Sequence, residues 1–404
     1  MKVMIIGGGA SGMMAALAAS ERQDNEVLLL ERQARVGRKL LVTGNGRCNL
    51  SNRNLSPKNY HGENPAFSDF ALQNFGAEQT LAYFAALGLR TTTQEDGRVY
   101  PRSDSANSVL DVLRLHLAQR KNVSIHTACE VLALRKEAGS FQAQTADNAF
   151  SSDRVIVCAG GLAGGKYGGT DFGYRLLAGF GHTRTKLYPA LVQIKTQTDF
   201  VRPLKGVRCD ARATLFCASH ELAQSCGELQ FTDYGVSGPM IFELSRQASV
   251  CAENATLLLD FVRELSQQDL LAALQKRRQD LPDCLTEDFL TGFVHNRLGR
   301  VILRRCACAL DRKNRDMDDE LLRSICKMLK AFPLAVLGTM DLQDAQVTAG
   351  GIKTADFRKE TLESRLCPGL YAAGEVLDID GDCGGYNLQW AWSSGRLAGM
   401  EAGR

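Results

Sequence analysis

The 404-residue sequence predicts an α/β fold: a parallel-sheet domain built from both ends of the chain, an inserted antiparallel β domain and a small helical subdomain. Two observations come from the ends, where short apolar runs lead into glycine-rich turns and then into helical patterns. The third is a central segment whose apolar and polar residues alternate with period two. Because single cores stop growing at roughly 250 to 300 residues, several domains are expected. We predict residues 1–190 with 336–404, 191–262 with 310–335, and 263–309 as the three parts.

The N-terminal segment carries a dinucleotide-binding fingerprint. An apolar run typical of a buried parallel strand, Val3 to Ile6, leads into a G-x-G-x-x-G turn and an alanine-rich helix. The first glycine permits the tight turn, the second lets the backbone approach a pyrophosphate, and the third allows close helix packing. A second apolar run ends at Glu31, at the spacing expected for an acid that binds a ribose hydroxyl. The small residues predicted to bind the cofactor are Gly7, Gly9, Ala10, Ser11 and Gly12.

A glycine-rich, cationic loop follows and favours FAD over NAD. An NAD domain would continue into another strand and helix here, whereas an FAD protein contacts the rest of its cofactor at this point. A mobile loop with solvated cations is the alternative. The candidate cofactor-binding residues of the loop are Arg38, Lys39, Thr43, Gly46, Arg47, Cys48 and Asn49.

Two later segments complete the predicted flavin site. Asp153 to Gly161 indicates a strand with a Gly-Gly turn and includes the candidate Gly160, but no second fingerprint follows it. A nicotinamide would therefore reach the flavin without its own domain. Near the C-terminus a strand ends at Gly374 and Glu375, and the helix after GDCGGYN offers free N–H groups that stabilise a reduced flavin. The candidates at that turn are Gly385, Asn387 and Leu388, and a purely structural helix is the alternative.

The insert changes from a strand pattern to a helical pattern along the chain. Short strands are predicted at Leu191 to Ile194, Ala213 to Cys217, Gly227 to Phe231 and Thr256 to Phe261. Helices are predicted at Ser266 to Gln279, Glu287 to Arg305 and Asp318 to Leu329, with Ser266 and Thr286 as N-caps. The helical part is basic, which indicates either a solvated face or a phosphate-binding footprint. Its cations are Lys276, Arg277, Arg278, Arg297, Arg300, Arg304, Arg305, Arg312, Lys313 and Arg315.

Composition narrows the function classes. A formal net charge of +3 does not by itself indicate a nucleic-acid-binding protein. The 13 cysteines lack regular spacing, and Cys306 with Cys308 has no second pair, so no zinc site is expected. With no secretory signal and no apolar run near 20 residues, we expect reduced thiols, a cytoplasmic location and no membrane span.

The motifs together resemble those of the bacterial aminoacetone-oxidase-type FAD-binding family, also described as BaiN/RdsA-like NAD(P)/FAD-dependent oxidoreductases. The matching segments, in family order, are GGGASGMMAA, GRKLLVTGNGRCNLSN, GELQFTDYGVSGPM, VTAGGI and GLYAAGEVLDIDGDCGGYNLQWAWSSGRLAG. The resemblance implies a glutathione-reductase-like FAD domain and contacts from the candidates named above. Asn45 departs from a position that is often glycine, and asparagine tolerates positive φ better than most residues.

The resemblance implies reduction of activated C=C bonds: uridine in ribosomal RNA, or an unsaturated 3-oxo steroid or bile acid. NAD(P)H would supply the electrons, and Cys48, Cys383 or Tyr386 is the candidate proton donor. An RNA substrate would use the basic helices, whereas a small ketone would need an apolar pocket. A redox-sensing or binding protein with a structural FAD is the alternative of a different class. The sequence leaves the oligomeric state open.

Overall fold

The computed structural model describes residues 1–251 and 254–404, and the chain divides into two compact units. Unit 1 comprises Met1–Tyr188 and Leu342–Arg404, and unit 2 comprises Pro189–Asp341. The expected boundary at residue 336 falls inside a strand, Phe332–Thr339. The helices expected to form a third part belong to unit 2.

The helices and strands are numbered here in chain order. The helices are α1 Ala10–Ala19, α2 Asp69–Asn74, α3 Ala77–Ala86, α4 Ala106–Ala118, α5 Phe172–Ala178, α6 Pro239–Cys251, α7 Gln267–Asp280, α8 Asn296–Arg305, α9 Asp319–Lys330 and α10 Tyr386–Ala402. The strands are β1 Lys2–Ile6, β2 Glu26–Leu30, β3 Ser51–Asn52, β4 Tyr60–His61, β5 Thr91–Thr93, β6 Arg98–Pro101, β7 Val123–His126, β8 Ala133–Glu137, β9 Ser140–Gln144, β10 Ala149–Ser152, β11 Arg154–Val157, β12 Tyr188–Ala190, β13 Ile194–Thr196, β14 Arg208–Cys217, β15 His220–Phe231, β16 Gly235–Ser237, β17 Ala255–Asp260, β18 Phe332–Thr339, β19 Val347–Ala349, β20 Leu370–Ala372 and β21 Asp380–Gly381.

Unit 1 is built on a five-stranded parallel sheet of order β20-β11-β1-β2-β7. The central strands are continuous apolar runs because both of their faces are covered, and Val3 to Ile6 are all buried. β1 pairs in register with β11 on one side and β2 on the other, so the first turn lies at the middle of the sheet's carboxyl edge. Ligands bind at that edge in open α/β sheets. The predicted Rossmann arrangement from both chain ends is confirmed.

Unit 2 is a closed antiparallel barrel of order β13-β16-β15-β14-β17-β18. Strands β17 and β18 alternate buried and partly exposed residues over most of their length, as a barrel with one packed face requires. The predicted antiparallel insert is therefore confirmed. Buried side chains of α7, α8 and α9, among them Leu274, Ile302 and Ile325, belong to the same apolar core as the barrel.

One predicted helix of unit 2 is wrong in its first half. Residues from Glu287 onward form only a short 3-10 turn, Thr286–Asp288, and α8 begins at Asn296. Gly292, at φ +88°, lies in the intervening segment, where a helix cannot continue. Thr286 is not the N-cap: its hydroxyl donates to the carbonyl of Ala309, and His295 caps α8 instead.

The predicted N-cap of α7 is confirmed. Ser266 has extended backbone, and its hydroxyl oxygen accepts a hydrogen bond from the backbone N–H of Asp269 at 3.1 Å.

The cysteines depart from expectation at one pair. Cys217 and Cys251 form a disulfide, with their Cα atoms 6.3 Å apart, whereas the sequence indicated reduced thiols throughout. Spacing in the sequence does not predict this pair, since 34 residues separate the two cysteines. The other eleven cysteines, all within the described residues, form no disulfide. In the part of the chain that the structure describes, no helix is long and apolar enough to cross a membrane.

Candidate functional site

The first turn of unit 1 is shaped by its glycines. Gly7 has φ +106°, and a Cβ there would lie 2.4 Å from the carbonyl oxygen of Cys158. A Cβ on Gly12 would lie 1.8 Å from the carbonyl oxygen of Gly7, so α1 approaches the turn at backbone contact. A Cβ on Gly9 would meet nothing within 4 Å. Two glycines therefore serve packing, and the third faces open space.

That open space is a groove at the start of α1. Gly9 is the N-cap of α1, has extended backbone and makes no side-chain cap hydrogen bond. The first N–H groups of the helix therefore remain available to an anion, supported by the positive end of the helix dipole. Neither an acidic side chain in the first turn nor a side-chain cap competes for this end. The geometry suits a pyrophosphate.

Glu31 lies at the end of β2 beside the same turn. Its Oε2 accepts the Gly8 N–H and its Oε1 accepts the Gln33 N–H, each at 2.7 Å. Both oxygens retain lone pairs for a ribose hydroxyl. The carboxylate thus holds the turn and presents acceptors to the groove.

Lys39 and Glu375 form an ion pair that joins two predicted cofactor residues from opposite ends of the chain. Lys39 Nζ lies 2.6 Å from Glu375 Oε2, and both side chains are partly exposed at 32% and 21%. Glu375 Oε1 also accepts the N–H of Thr348 at 2.9 Å. The carboxylate is therefore fixed in position, and the pair brings one positive and one negative group to the groove wall.

The loop between Leu40 and Asn49 bends through a series of left-handed residues. Gly44, Asn45, Gly46 and Cys48 have φ between +56° and +84°. The expectation that Asn45 accepts positive φ is confirmed, at φ 57°. This backbone turns the Cys48 side chain inward: the thiol is fully buried, and burial raises its pKa to about 12.

The two predicted cofactor arginines already have protein partners. Arg47 pairs with Asp104 and stacks over the ring of Tyr100, with 4.2 Å between its guanidinium carbon and the ring centroid. Arg38 donates to the side chain of Gln33 and to the carbonyl of Lys166. Arg38 lines the groove, whereas Arg47 does not.

The groove lies wholly within unit 1 and contains about 1340 Å³ of space between atoms, counted to its open mouth. Both chain ends contribute to its walls. The predicted residues that line it are Gly7, Gly9, Ala10, Ser11, Glu31, Arg38, Lys39, Thr43, Gly160, Glu375, Asn387 and Leu388. The predicted residues outside its lining are Gly12, Gly46, Arg47, Cys48, Asn49, Gly374, Gly385, Cys383 and Tyr386.

The residues present fit FAD. Gly160 resembles Gly9, since a Cβ there would also meet nothing within 4 Å. Asn49 Oδ1 is buried without a hydrogen-bond partner among the described residues, and it faces Gly385 at the start of α10. Buried polar atoms are normally satisfied, so this unpaired oxygen is available to a further donor, although Asn49 itself does not line the groove. Among the described residues, no cluster of three His, Cys, Asp or Glu side chains could hold a metal ion.

A second helix start reaches the site through α10. Its N-cap Gly385 has φ +102°, and a Cβ there would lie 2.4 Å from the carbonyl of Ser51. Asn387 secures the turn: its Oδ1 accepts the Gly381 N–H at 2.8 Å, and its Nδ2 donates to the Gly381 carbonyl at 2.7 Å. The start of α10 is thus held by backbone and side-chain bonds.

Sequence reasoning missed how closely α10 packs on α1. A Cβ on Gly395 would lie 2.3 Å from the Ser11 carbonyl, and one on Gly399 would lie 2.4 Å from the Ala15 carbonyl. Ser394 accepts the Gly374 N–H at 2.9 Å, which ties the same helix to the predicted strand end. The sequence did contain a signal for this close packing, because Gly395 and Gly399 are four positions apart and therefore lie on the same face of the helix.

A histidine–aspartate pair beside this turn was also missed. His61 Nε2 lies 2.7 Å from Asp382 Oδ1, and Asp382 directly precedes Cys383. Cys383 is partly exposed and Tyr386 is buried. No signal in the sequence joins His61 to a residue 321 positions away, because antiparallel pairing of β4 with β21 brings them together.

The basic residues of unit 2 are mostly engaged within the protein. Four of them form ion pairs with acidic side chains: Lys276, Arg278, Arg300 and Arg315. Three donate hydrogen bonds to backbone carbonyls: Arg277, Arg297 and Lys313. Arg305 lies over the aromatic rings of Phe200 and Phe332. Arg304 and Arg312 are exposed. The segment Pro189–Asp341 contains 20 Lys and Arg residues and 20 Asp and Glu residues, so unit 2 has a formal net charge of zero.

Comparison with known proteins matches the chain along its whole length. The family model described as the HI0933-like protein Rossmann domain covers residues 1–401. A 3-dehydro-bile acid delta(4,6)-reductase of Clostridium scindens is 38% identical, covering 99% of this chain and 98% of that protein. A ribosomal RNA dihydrouridine synthase of Escherichia coli K12 is 27% identical, covering 97% of this chain and 95% of that protein.

A solved structure shares the fold. A quinol fumarate reductase chain of E. coli is 16% identical, with a TM-score of 0.51 over 100% of this chain and 70% of that chain.

Proposed function

The chain belongs to the HI0933-like Rossmann family, and from that premise we propose that it is an FAD-dependent oxidoreductase acting on an activated C=C bond. The proposed substrate is an unsaturated 3-oxo bile acid or steroid, and the proposed electron donor is NAD(P)H. The 38% identity to a bile acid reductase over nearly the full length of both chains supports this substrate class.

The groove residues have distinct proposed roles toward FAD. The N–H groups at the start of α1 bind the pyrophosphate, Glu31 binds a ribose hydroxyl, and Glu375 accepts from the ribityl chain. The start of α10 stabilises negative charge on the reduced ring. When bound, FAD supplies two-electron hydride chemistry, which no amino-acid side chain provides. The protein binds, orients and shields it.

The proposed proton donors of the sequence analysis differ in access. Cys48 is fully buried with a pKa raised to about 12, and Tyr386 is buried as well. Cys383 is the partly exposed member of the three. Among these candidates, access to a substrate therefore favours Cys383.

The choice of a small ketone over RNA rests on one observation: most of the basic side chains on the helices of unit 2 are already bonded within the protein. RNA binding depends on Lys and Arg that neutralise phosphates. Eight of the ten basic residues considered above are bonded or stacked within the protein. The balance of 20 positive and 20 negative residues leaves unit 2 without the excess that an RNA-binding surface needs. A small ketone has no such requirement.

Equilibrium binding at two salt concentrations tests this choice. An unsaturated 3-oxo bile acid should perturb the flavin absorbance with nearly equal affinity at about 50 and 200 mM salt. A protein with 6 to 10 phosphate contacts loses about 10³- to 10⁵-fold in affinity over this range. Tight binding of a ribosomal RNA fragment with such salt dependence, and none of the bile acid, would assign the RNA substrate instead.

A further inference from the structure

The residues around Asp382 form a polar cluster that the proposed function does not yet use. His61 Nε2 is 2.7 Å from one carboxylate oxygen of Asp382, and Asn59 Nδ2 donates to the other at 3.0 Å. The backbone N–H of Asp382 donates to the Asn59 carbonyl at 3.0 Å. Pairing of β4 with β21 places these residues side by side. The carboxylate is therefore held on both oxygens and orients the imidazole.

The His61–Asp382 pair remains open to solvent. The His61 and Asp382 side chains are 25% and 35% exposed, and His61 Nδ1 makes no hydrogen bond to a residue that the structure describes. A carboxylate that binds one imidazole nitrogen fixes the ring and leaves the other nitrogen for proton transfer. This is the arrangement of a general acid or base.

The pair is linked to the groove through one side chain. Asn387 lines the groove, and its Nδ2 donates to the Gly381 carbonyl at 2.7 Å and to the Asp382 carbonyl at 3.3 Å. The same turn leads to the start of α10 at Tyr386. The pair thus lies one hydrogen bond away from a side chain that lines the groove, although neither His61 nor Asp382 lines the groove itself.

We propose that His61, oriented by Asp382, is the acid that protonates the substrate during C=C reduction. This inference rests on the proposed function and replaces Cys383 as the donor. The β-carbon of the unsaturated ketone gains a hydride, whose electron pair comes from NAD(P)H as it becomes NAD(P)⁺. The α-carbon gains the proton as the His61 N–H bond breaks, and neutral His61 then regains a proton from water. His61 would be a catalytic residue and Asp382 a positioning residue.

Single-turnover kinetics separate the two half-reactions of the yellow holoenzyme. In H61Q, bleaching by NADPH should proceed at the wild-type rate, while reoxidation by an unsaturated 3-oxo bile acid should slow about 10²- to 10⁴-fold. D382N should slow the same step by less. The control H220Q, at an exposed histidine at the start of β15, should match wild type in both steps.

A chemical footprint gives a readout that does not depend on turnover. Diethyl pyrocarbonate should modify His61 in the holoenzyme, and a saturated 3-oxo bile acid should protect it while leaving His220 reactive. Peptide mass spectrometry measures both sites. The footprint uses wild-type protein, so it tests the proposal even where a substitution disturbs folding.

Three results would overturn the assignment of the proton to His61. They are reoxidation of H61Q within about threefold of wild type, loss of that step in C383A alone, and a bound saturated ketone that leaves His61 fully reactive. Failure of the wild-type protein to be reoxidised by the unsaturated bile acid would instead contradict the proposed function. The two failures are therefore distinguishable.

Discussion

The glycines of the first turn have two different roles: some allow close backbone packing, and one leaves space for a ligand. Gly12 has no room for a Cβ, since it would lie 1.8 Å from the Gly7 carbonyl, whereas a Cβ on Gly9 would enter open space at the groove. The fingerprint predicts all three positions because each is required by sterics or by phosphate approach.

Replacing Gly12 and Gly9 by alanine should therefore have different effects. G12A should lower the free energy of unfolding of the FAD-free protein by about 1–3 kcal/mol or more, because its methyl group meets backbone. G9A should leave that stability unchanged and weaken FAD at least about tenfold, a loss of about 1.4 kcal/mol. Thermal unfolding and FAD titration measure the two quantities. Equal loss of stability in both variants would contradict the division.

Cys48 should behave as a packing residue in the folded protein. Because burial raises its pKa to about 12, only roughly one thiol in ten thousand is ionised at pH 8, and the thiolate is the reactive form. Iodoacetamide at that pH should label the exposed Cys226 and Cys284 and spare Cys48. Labelling at Cys48 should rise with pH toward its pKa. Mass spectrometry that finds Cys48 labelled as fast as Cys226 would contradict this assignment.

Predictions for single residues were most accurate where the residue type determines a local backbone conformation or a local hydrogen bond. The positive φ of Asn45 and the N-cap of Ser266 are of this kind, because both depend on neighbours within a few positions. The Lys39–Glu375 and His61–Asp382 pairs are different, since each joins residues more than 300 positions apart. Only the paired strands and the sheet bring them together.

At the scale of elements, the contact between α1 and α10 links the two flavin motifs. Gly395 and Gly399 let the helices touch at backbone distance, so both helix starts are positioned by one packed interface. The alternative of a purely structural C-terminal helix does not account for its start at the groove, where Asn387 and Leu388 line the wall.

A methyl group at this interface should disturb both stability and cofactor binding. G395A would place a Cβ 2.3 Å from the Ser11 carbonyl, so we expect α10 to shift and stability to fall by about 1–3 kcal/mol. FAD should bind more weakly because Ser11 belongs to the helix start that is proposed to bind the phosphates. M400A, at a partly exposed position of the same helix, is the control. An unchanged melting temperature and an unchanged FAD affinity in G395A would contradict this prediction and show that the interface can accommodate a methyl group.

Element prediction failed where a local break outweighed helical periodicity. The stretch from Glu287 has helix-forming residues, but Gly292 adopts φ +88° and the helix begins only at Asn296. The barrel strands were better predicted, since alternation reflects one buried and one exposed face. The alternation could not predict the order of the strands or the closure of the barrel, because pairs such as β13 with β18 join residues far apart in the chain.

At the scale of the whole molecule, charge is divided unevenly between the two units. The chain carries a formal net charge of +3, and unit 2 contributes none of it. From the sequence, the basic helices indicated either a solvated face or a phosphate footprint, and several of their acidic partners lie on other segments. Arg278, for instance, pairs with Asp319, 41 residues away.

Turnover should therefore depend weakly on ionic strength when a bile acid is the substrate. We expect kcat/KM to change less than about threefold between 50 and 200 mM salt, far below the change for a protein held by phosphate contacts. The variants R304A and R312A, at exposed cations of unit 2, should keep wild-type activity. Loss of activity in either variant, together with steep salt dependence, would contradict the small-molecule assignment.

Anaerobic reduction and reoxidation of the purified protein test whether it is a flavin-dependent C=C reductase. We expect a yellow protein whose flavin absorbance is bleached by NADPH or NADH. The absorbance should return on addition of an unsaturated 3-oxo bile acid, with formation of the saturated ketone. A protein that purifies without flavin, or whose bleached flavin fails to recover its absorbance with this acceptor, would contradict this prediction.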